Sequence, residues 1–442
     1  MKRLLPLVIA LGLGGCLVKD TVRQDAVAIL SNAAWLAYQD GPDRDWRVLV
    51  SGNTDTQPKA YALQAGDLDK RYALAMVCPG GDDQPHQVFL IYGDAATVSN
   101  LRQGCEPPPE SRKRYRVDGN IYDDVAYRGE MTRLSFAPGE TLEVFNAYAT
   151  TVPEGPKDLL AAKGPIVDGQ FAPRRFVIMR DLDSVSNTRG NNTTPVEEQH
   201  KQIDLVFLES KSFPATADSA TLTVQADLGG GETRWAASVD LWSKHGNDLP
   251  LLRLDSTQGR TDGTFHGLVA DYLRDGEGHR ARLDTYDAQG RRLRSGVRLF
   301  AQVSDVALSL PVPFDPQPAV DPFELTWSAP AEDAVFGPRR LAHWRLDGQG
   351  QSEDGATHPV VWQVYVADQW MTTDEVDGRI RLPLPDFSVL PGWQTEWSVT
   401  GFDRWRLTQY FSDDPAGPLL KFVLQGALET GLAFGRVTRE GP

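Results

Sequence analysis

Reactive side chains are scarce in this chain. Its 442 residues include three cysteines and seven histidines. The histidines stand singly, at positions 86, 200, 245, 266, 279, 343 and 358, so H-E-x-x-H and other paired-histidine metal spacings are absent. A G-x-S-x-G nucleophile elbow is absent too. His266 and His279 are near enough to meet across a hairpin, but two isolated rings make no site. Basic residues are also short, with 45 Lys and Arg against 60 Asp and Glu for a net charge of −15. That balance excludes the basic footprint nucleic acid requires and argues against docking on anionic lipid. Beyond the first fifteen residues no stretch reaches eighteen consecutive apolar residues, so no later membrane-spanning helix is expected. Helical periodicity is thin, with a turn or two in "QDAVAILSNAAWLAYQ" and another in "PKDLLAAK".

What is present begins at the amino terminus. Lys2 and Arg3 precede an apolar run from Leu4 to Leu13. As a helix that run is ~15 Å long, against ~30 Å of bilayer hydrocarbon, so it reads as a secretory leader and not as a span. It ends in Leu13-Gly14-Gly15-Cys16: an aliphatic residue, two small ones, then cysteine. The small pair lets a peptidase approach the backbone, and the thiol supplies the atom to be alkylated. This segment resembles the bacterial lipoprotein signal. The resemblance implies removal of residues 1–15, a diacylglyceryl thioether on Cys16 and fatty acylation, as by palmitate, of the new amino terminus. Several buried acyl chains at ~0.8 kcal/mol per CH₂ make a durable membrane anchor. Leu17, in place of Asp, fits sorting to the outer membrane. Residues 16–25 then read as the linker to the anchor.

With Cys16 assigned, Cys78 and Cys105 remain and are expected to pair in an exported chain. In "RYALAMVC", Tyr72, Leu74, Met76 and Cys78 share one strand face, which turns the Cys78 sulfur inward.

The dominant pattern is short alternating runs broken by Gly, Pro, Asp and Asn, which predicts an all-β chain. "RWAASVDLW" sets Trp235, Ala237, Val239 and Leu241 on one face, and "VWQVYVA" does the same with Trp362, Val364 and Val366. Turn chemistry such as "DAQG", "DGEG" and "DGQG" falls between the runs. Four β units are expected in series, at 26–108, 113–212, 213–312 and 320–442. The first holds the cysteine pair and ends in the linker-like "CEPPPESRKR", and "PVPFDPQPAVDP" introduces the last. In the second unit, "RYRVDGNIYDD", "TLEVFNAY" and a Pro-Gly turn leading into "DLLAA" resemble transthyretin-like β-sandwiches. In the fourth, "FELTWSAP", "WQVYVA", "RIRLPLP" and "EWSVTGFD" resemble a fibronectin type III sandwich. Trp397 stands where that family carries a core tyrosine, and the chain continues past its normal end. The fold class expected is therefore several consecutive β-sandwiches of Ig-like, transthyretin-like and fibronectin-like kind, with little helix.

Candidate sites are few. Carboxylates cluster at Asp40, Asp43 and Asp45, at Asp181 and Asp183, and at Asp413 and Asp414, but none has EF-hand spacing. Six of the eleven tryptophans fall between Trp344 and Trp405. Trp362 and Trp397 belong to the core. Trp370, Trp393 and Trp405 lie in loop-like contexts and are the candidates for stacking on a sugar or a protein partner. The overlapping Asn191-Asn192-Thr193 and Asn192-Thr193-Thr194 triplets sit in a polar loop. The function expected is a non-catalytic, lipid-anchored envelope role, structural or binding, with no cofactor, no metal and no nucleic acid. Envelope proteins or glycans are the partners it suggests. The alternatives are a glycan-binding module using the three tryptophans, and a glycan-acting hydrolase using loop carboxylates.

Overall fold

The computed structural model describes residues 26–442 except 43, 56, 65–69, 81–83, 96–99, 103–104, 106–113, 138–139, 154–155, 184–199, 258, 375 and 426–429. The leader, Cys16, most of the "CEPPPESRKR" linker and the Asn-Thr triplets lie outside the described residues. The protein is all-β: alternating strands build several layered sheets, and one α-helix, Ala416–Gln425, stands among the described residues.

One long sheet organises the molecule. Its strands follow the order Asp248–Ser256, Glu232–Trp242, Gly278–Asp287, Arg292–Phe300, Ala433–Gly441, Phe402–Phe411, Gly337–Gln351, Thr357–Ala367, His86–Asp94, Arg71–Cys78, Trp35–Gln39 and Arg47–Ser51. The ladder therefore runs through residues of the first, third and fourth proposed units. Two seams make this continuity. The C-terminal strand Ala433–Gly441 pairs antiparallel with Arg292–Phe300 on one side and with Phe402–Phe411 on the other. Thr357–Ala367 pairs parallel with His86–Asp94, matching Val360 to His86 and Val366 to Tyr92.

Both faces of this sheet are covered, which is why its central strands read as near-continuous apolar runs. On one face, Trp235, Ala237, Val239 and Leu241 pack under the three-stranded sheet of Ala220–Gln225, Arg260–Phe265 and Val306–Leu308. Farther along that face, Trp344, Trp362, Val364 and Leu407 pack under Glu324–Trp327 and Ile380–Pro383. On the opposite face, Leu74, Met76, Ile91, Leu341 and Phe434 meet Val27, Ile29 and the helix residues Leu419 and Leu420. The expected alternation holds at each of these strands.

Residues 114–214 form a two-sheet unit around Val117, Leu134, Phe136, Leu159, Val177 and Phe207. The outer faces of its strands, through Leu160, Ala162 and Phe176, join the core beneath Trp235 and Leu251. The helical expectations fail here. "AVAILS" and "WLAYQ" are strands, as is Pro156–Gly164, which contains "DLLAA". Leu and Ala favour helix intrinsically, but Leu159 and Leu160 are buried in two different cores on opposite sides of one strand. Only the twofold alternation of a strand can serve both.

At the seam between Arg292–Phe300 and Ala433–Gly441, Gly296 lies opposite Gly435. A Cβ on Gly435 would fall 2.5 Å from the Phe336 ring, and one on Gly296 would fall 2.0 Å from the Ser309 carbonyl oxygen. The glycine pair leaves a slot that the Phe336 ring fills.

Candidate functional site

Seven charged residues, Asp158, Arg180, Asp181, Lys244, Arg274, Asp275 and Glu277, line a cleft of about 470 Å³ between the second and third units. Its geometry starts from an irregularity. Strand Pro156–Gly164 slips register against Arg175–Asp183 between Lys157 and Leu159, so Asp158 sits at a bulge. Opposite it, Asp181 adopts φ +53°, a left-handed conformation that Asp tolerates better than most residues. The buried Asp158 carboxylate accepts the Asp181 N–H at 2.9 Å and the His245 N–H at 3.4 Å. The Asn247 amide donates to the Asp158 carbonyl.

His245 comes from the tight turn after strand Glu232–Trp242, in which Ser243 N–H bonds the Asn247 carbonyl. Its Nε2 lies 2.8 Å from Asp181 Oδ1 and 3.9 Å from Asp158 Oδ1. The His245 hydrogen bond, helped by the nearby Lys244 charge, holds the Asp181 carboxyl below its ordinary range. Beside them Arg180 grips Glu277 through two bonds, Nε to Oε1 at 2.5 Å and Nη2 to Oε2 at 2.7 Å. It also donates to the Tyr272 carbonyl at 2.8 Å. The Glu277 hydrogen bond raises the Arg180 guanidinium pKa, fixing its charge.

One ligand atom each from Asp158, Asp181 and His245 lies within 4.8 Å of the other two, so these are described residues that could hold a divalent cation. One imidazole and two carboxylates suit a small ion of the zinc class better than calcium, which takes six to eight oxygens. In the structure these atoms are engaged with one another, and the cluster works as a clasp between the two units. The acidic pair read from sequence is thereby divided. Asp181 meets residues 158 and 245, while the side chain of Asp183 lies outside the described residues, as does Asp43. Asp414 accepts the Ala433 N–H at 3.2 Å and fastens the start of the last strand. The Asp413 carbonyl accepts a hydrogen bond from Arg340 Nη2 at 3.3 Å. Sequence reasoning missed Asp158, His245, Arg180 and Glu277, because only the bulge and the chain crossing bring them together.

The other sequence-predicted residues have distinct fates. Cys78 and Cys105 form a disulfide, with Cα atoms 5.2 Å apart. Trp362 and Trp397 are buried as expected. Trp370, Trp393 and Trp405 are half-buried and do not form one stacking platform. The Trp370 indole N–H bonds the Gly93 carbonyl at 2.9 Å, and its ring meets Tyr92 edge-on. Trp393 donates to Ser398 Oγ at 2.8 Å and packs edge-on against Trp35 and Trp397. Trp405 meets Trp344 and covers Gly441 so closely that a Cβ there would lie 2.3 Å from the indole. All three rings close the ends of the core around Trp362.

No protein-family model and no curated protein matches the sequence. Among solved structures, a candidate adhesin from Bacteroides ovatus ATCC 8483 overlaps at TM-score 0.16 and 11% identity, covering 44% of this chain and 85% of its own. A streptococcal ancillary pilin overlaps at TM-score 0.14 and 10% identity, covering 64% of this chain and 98% of its own. The Bacillus anthracis TIE protein gives TM-score 0.13 at 10% identity, covering 64% of this chain and 49% of its own. Likeness at this level carries no conclusion about what this chain does.

Proposed function

We propose that this chain is a lipid-anchored protein of the bacterial cell envelope, held at the outer membrane through Cys16, with a non-catalytic structural or binding role. The observation that carries the reading is Leu13-Gly14-Gly15-Cys16 at the end of a short apolar leader. Two features support it. The Cys78–Cys105 disulfide belongs to an oxidising compartment. The described strand nearest the leader, Ala26–Ser31, packs through Val27 and Ile29 on the face of the same sheet that takes in the C-terminal strand. An anchor at Cys16 thus tethers one cross-linked β body through the short stretch 17–25. In the charged cleft between the second and third units, Arg180–Glu277 and His245–Asp181 pair as a brace between the two.

Membrane fractionation with metabolic labelling by a clickable palmitate analogue tests the reading. The native chain is expected to take up label and sediment with outer membranes, and Cys16→Ser to lose label and leave that fraction. Unchanged labelling and sedimentation of Cys16→Ser would overturn it.

A further inference from the structure

A second cavity, of about 530 Å³, opens on the sheet face that carries the helix. Register decides which side chains line it. Arg436 stands opposite Ser295 and Tyr410, Thr438 opposite Thr408, and Thr408 opposite His343. One strand step farther, Arg406 faces both Glu440 and Arg345. Arg292 enters from the third unit, and Phe422 and Val423 of helix Ala416–Gln425 supply an apolar wall.

The charges around this cavity do not balance. Arg406 pairs with Glu440 at 2.5 Å and Arg345 with Asp347 at 3.1 Å. Arg282, Arg292 and Arg436 share one buried carboxylate, Asp284, at 2.9, 3.7 and 3.9 Å. Asp284 also accepts the Ser295 hydroxyl at 2.6 Å, and Arg436 donates its Nε to that same hydroxyl. Arg282 is also faced by Asp240 and Asp248, whereas among the described residues Arg292 and Arg436 have the shared Asp284 alone within ion-pair distance, which leaves positive charge uncompensated in a protein whose overall charge is −15. Burial lowers the Arg292 pKa, and the neighbouring Arg436 charge lowers it further. At the cavity floor His343 stacks flat on Tyr365, with centroids 4.3 Å apart, and its buried Nε2 has no hydrogen-bond partner. Burial first, then Arg406, Arg345 and Arg436, push its pKa down to about 4 against an opposing hydrogen bond with the Gln363 side chain, so the ring adds no charge of its own at neutral pH.

We propose that this cavity binds a small dianionic oxyanion of the phosphate or sulfate class, with Arg292 and Arg436 as its charge partners. Forked guanidinium groups suit a tetrahedral oxyanion. The volume falls in the range of small-ligand sites and leaves room for an organic group against Phe422 and Val423. The inference goes beyond membrane anchoring and does not depend on Cys16.

The test is thermal melting and calorimetric titration of the full chain with inorganic phosphate, inorganic sulfate and glucose 6-phosphate, with sodium chloride holding ionic strength constant. Saturable stabilisation by at least one of them is expected. Equal affinity for phosphate and its sugar ester assigns the site to the free ion, and tighter binding of the ester assigns it to an esterified ligand. Arg292→Gln and Arg436→Gln are each expected to weaken binding at least tenfold. Their unliganded melting temperatures should be unchanged or raised, since each relieves repulsion. Arg292→Lys, which keeps the charge and loses the fork, should fall between. No saturable response beyond that of chloride, or glutamine variants that respond like the native chain while remaining folded, would overturn the proposal.

Discussion

His279 should make this protein acid-labile well above the range in which its carboxylates titrate. The ring is fully buried in strand Gly278–Asp287. Its Nε2 accepts the Leu268 N–H at 3.1 Å, which fixes the proton on Nδ1, and Nδ1–H then donates to the Ala301 carbonyl at 3.2 Å. Phe300 stacks on the ring, and a Cβ at Gly267 would come within 2.5 Å of Nε2. A second proton would have to sit on Nε2, pointing at another donor. Burial pushes the pKa from 6.5 to about 4, against smaller opposing effects of hydrogen bonds from the ring to the Ala301 and Phe300 backbone. Because the folded pKa lies below the unfolded one, the unfolded chain binds the extra proton first. Stability is then complete above pH 6.5 and lost as pH falls toward 4. At 1.36 kcal/mol per pKa unit the full loss is about 3 kcal/mol, a large share of a typical domain's stability. Urea denaturation of the native chain and of His279→Phe at pH 7.5, 5.5 and 4 measures it. The variant leaves the Leu268 N–H unpaired and should start about 1–3 kcal/mol lower at pH 7.5. Its stability should then fall less steeply, by up to about 1.4 kcal/mol per pH unit, with the parallel contribution of His343 unchanged. Equal slopes for the two proteins, or a His279 NMR titration centred near 6.5, would refute the reasoning.

Three further outcomes are expected. Gly435→Ala drives a methyl into the Phe336 ring at the seam between Arg292–Phe300 and Ala433–Gly441 and should cost about 1–3 kcal/mol in denaturant melts; the double variant Gly435→Ala, Phe336→Ala should recover part of that loss. Trp327→Phe removes the indole N–H that reaches Gln409 Oε1 at 3.1 Å in the buried core, and a cost of about 1–3 kcal/mol is expected from urea curves. Replacing Cys78 and Cys105 by alanine opens a link of sequence separation 27, for a loss of about 3.5 kcal/mol in the chain-entropy model, and adding reductant to the native chain should reproduce that shift in midpoint.

Strand content and facing were legible because alternation is local. "RWAASVDLW" and "VWQVYVA" bury the residues their twofold period selects. Two kinds of information were not local. Helix propensity in "DLLAAK" lost to tertiary demand, since a strand between two cores must bury residues on both sides, and "AVAILS" buries Val27 and Ile29 on one face in twofold alternation. The seams were hidden as well. Nothing near "HQVFLIYG" says that it will lie parallel to "PVVWQVYV" from the far end of the chain, and a reading by linear segments has no term for such a ladder. A loop-like sequence context likewise says nothing about whether the loop folds back over a sandwich end, as those of Trp370 and Trp393 do.

The two charged clusters show what such non-local pairing creates. In "RWRLTQYF" and "AFGRVTREG", Arg406, Thr408 and Tyr410, and Arg436, Thr438 and Glu440, look like the ordinary polar faces of two half-buried strands. Antiparallel register stacks them row on row, and the strand entering from the third unit adds Arg292 beside a carboxylate already shared. A slip of one residue at the C-terminal strand would turn Arg436 and Thr438 to the other face, put Val437 in their place and dissolve the cavity. The seam that joins the third and fourth units is thus also what assembles the arginine cluster. Changes that loosen the seam, such as Gly435→Ala, should weaken oxyanion binding even though residue 435 lines no part of the cavity. If Gly435→Ala destabilised the fold yet bound phosphate with native affinity, the link between seam and site would be refuted.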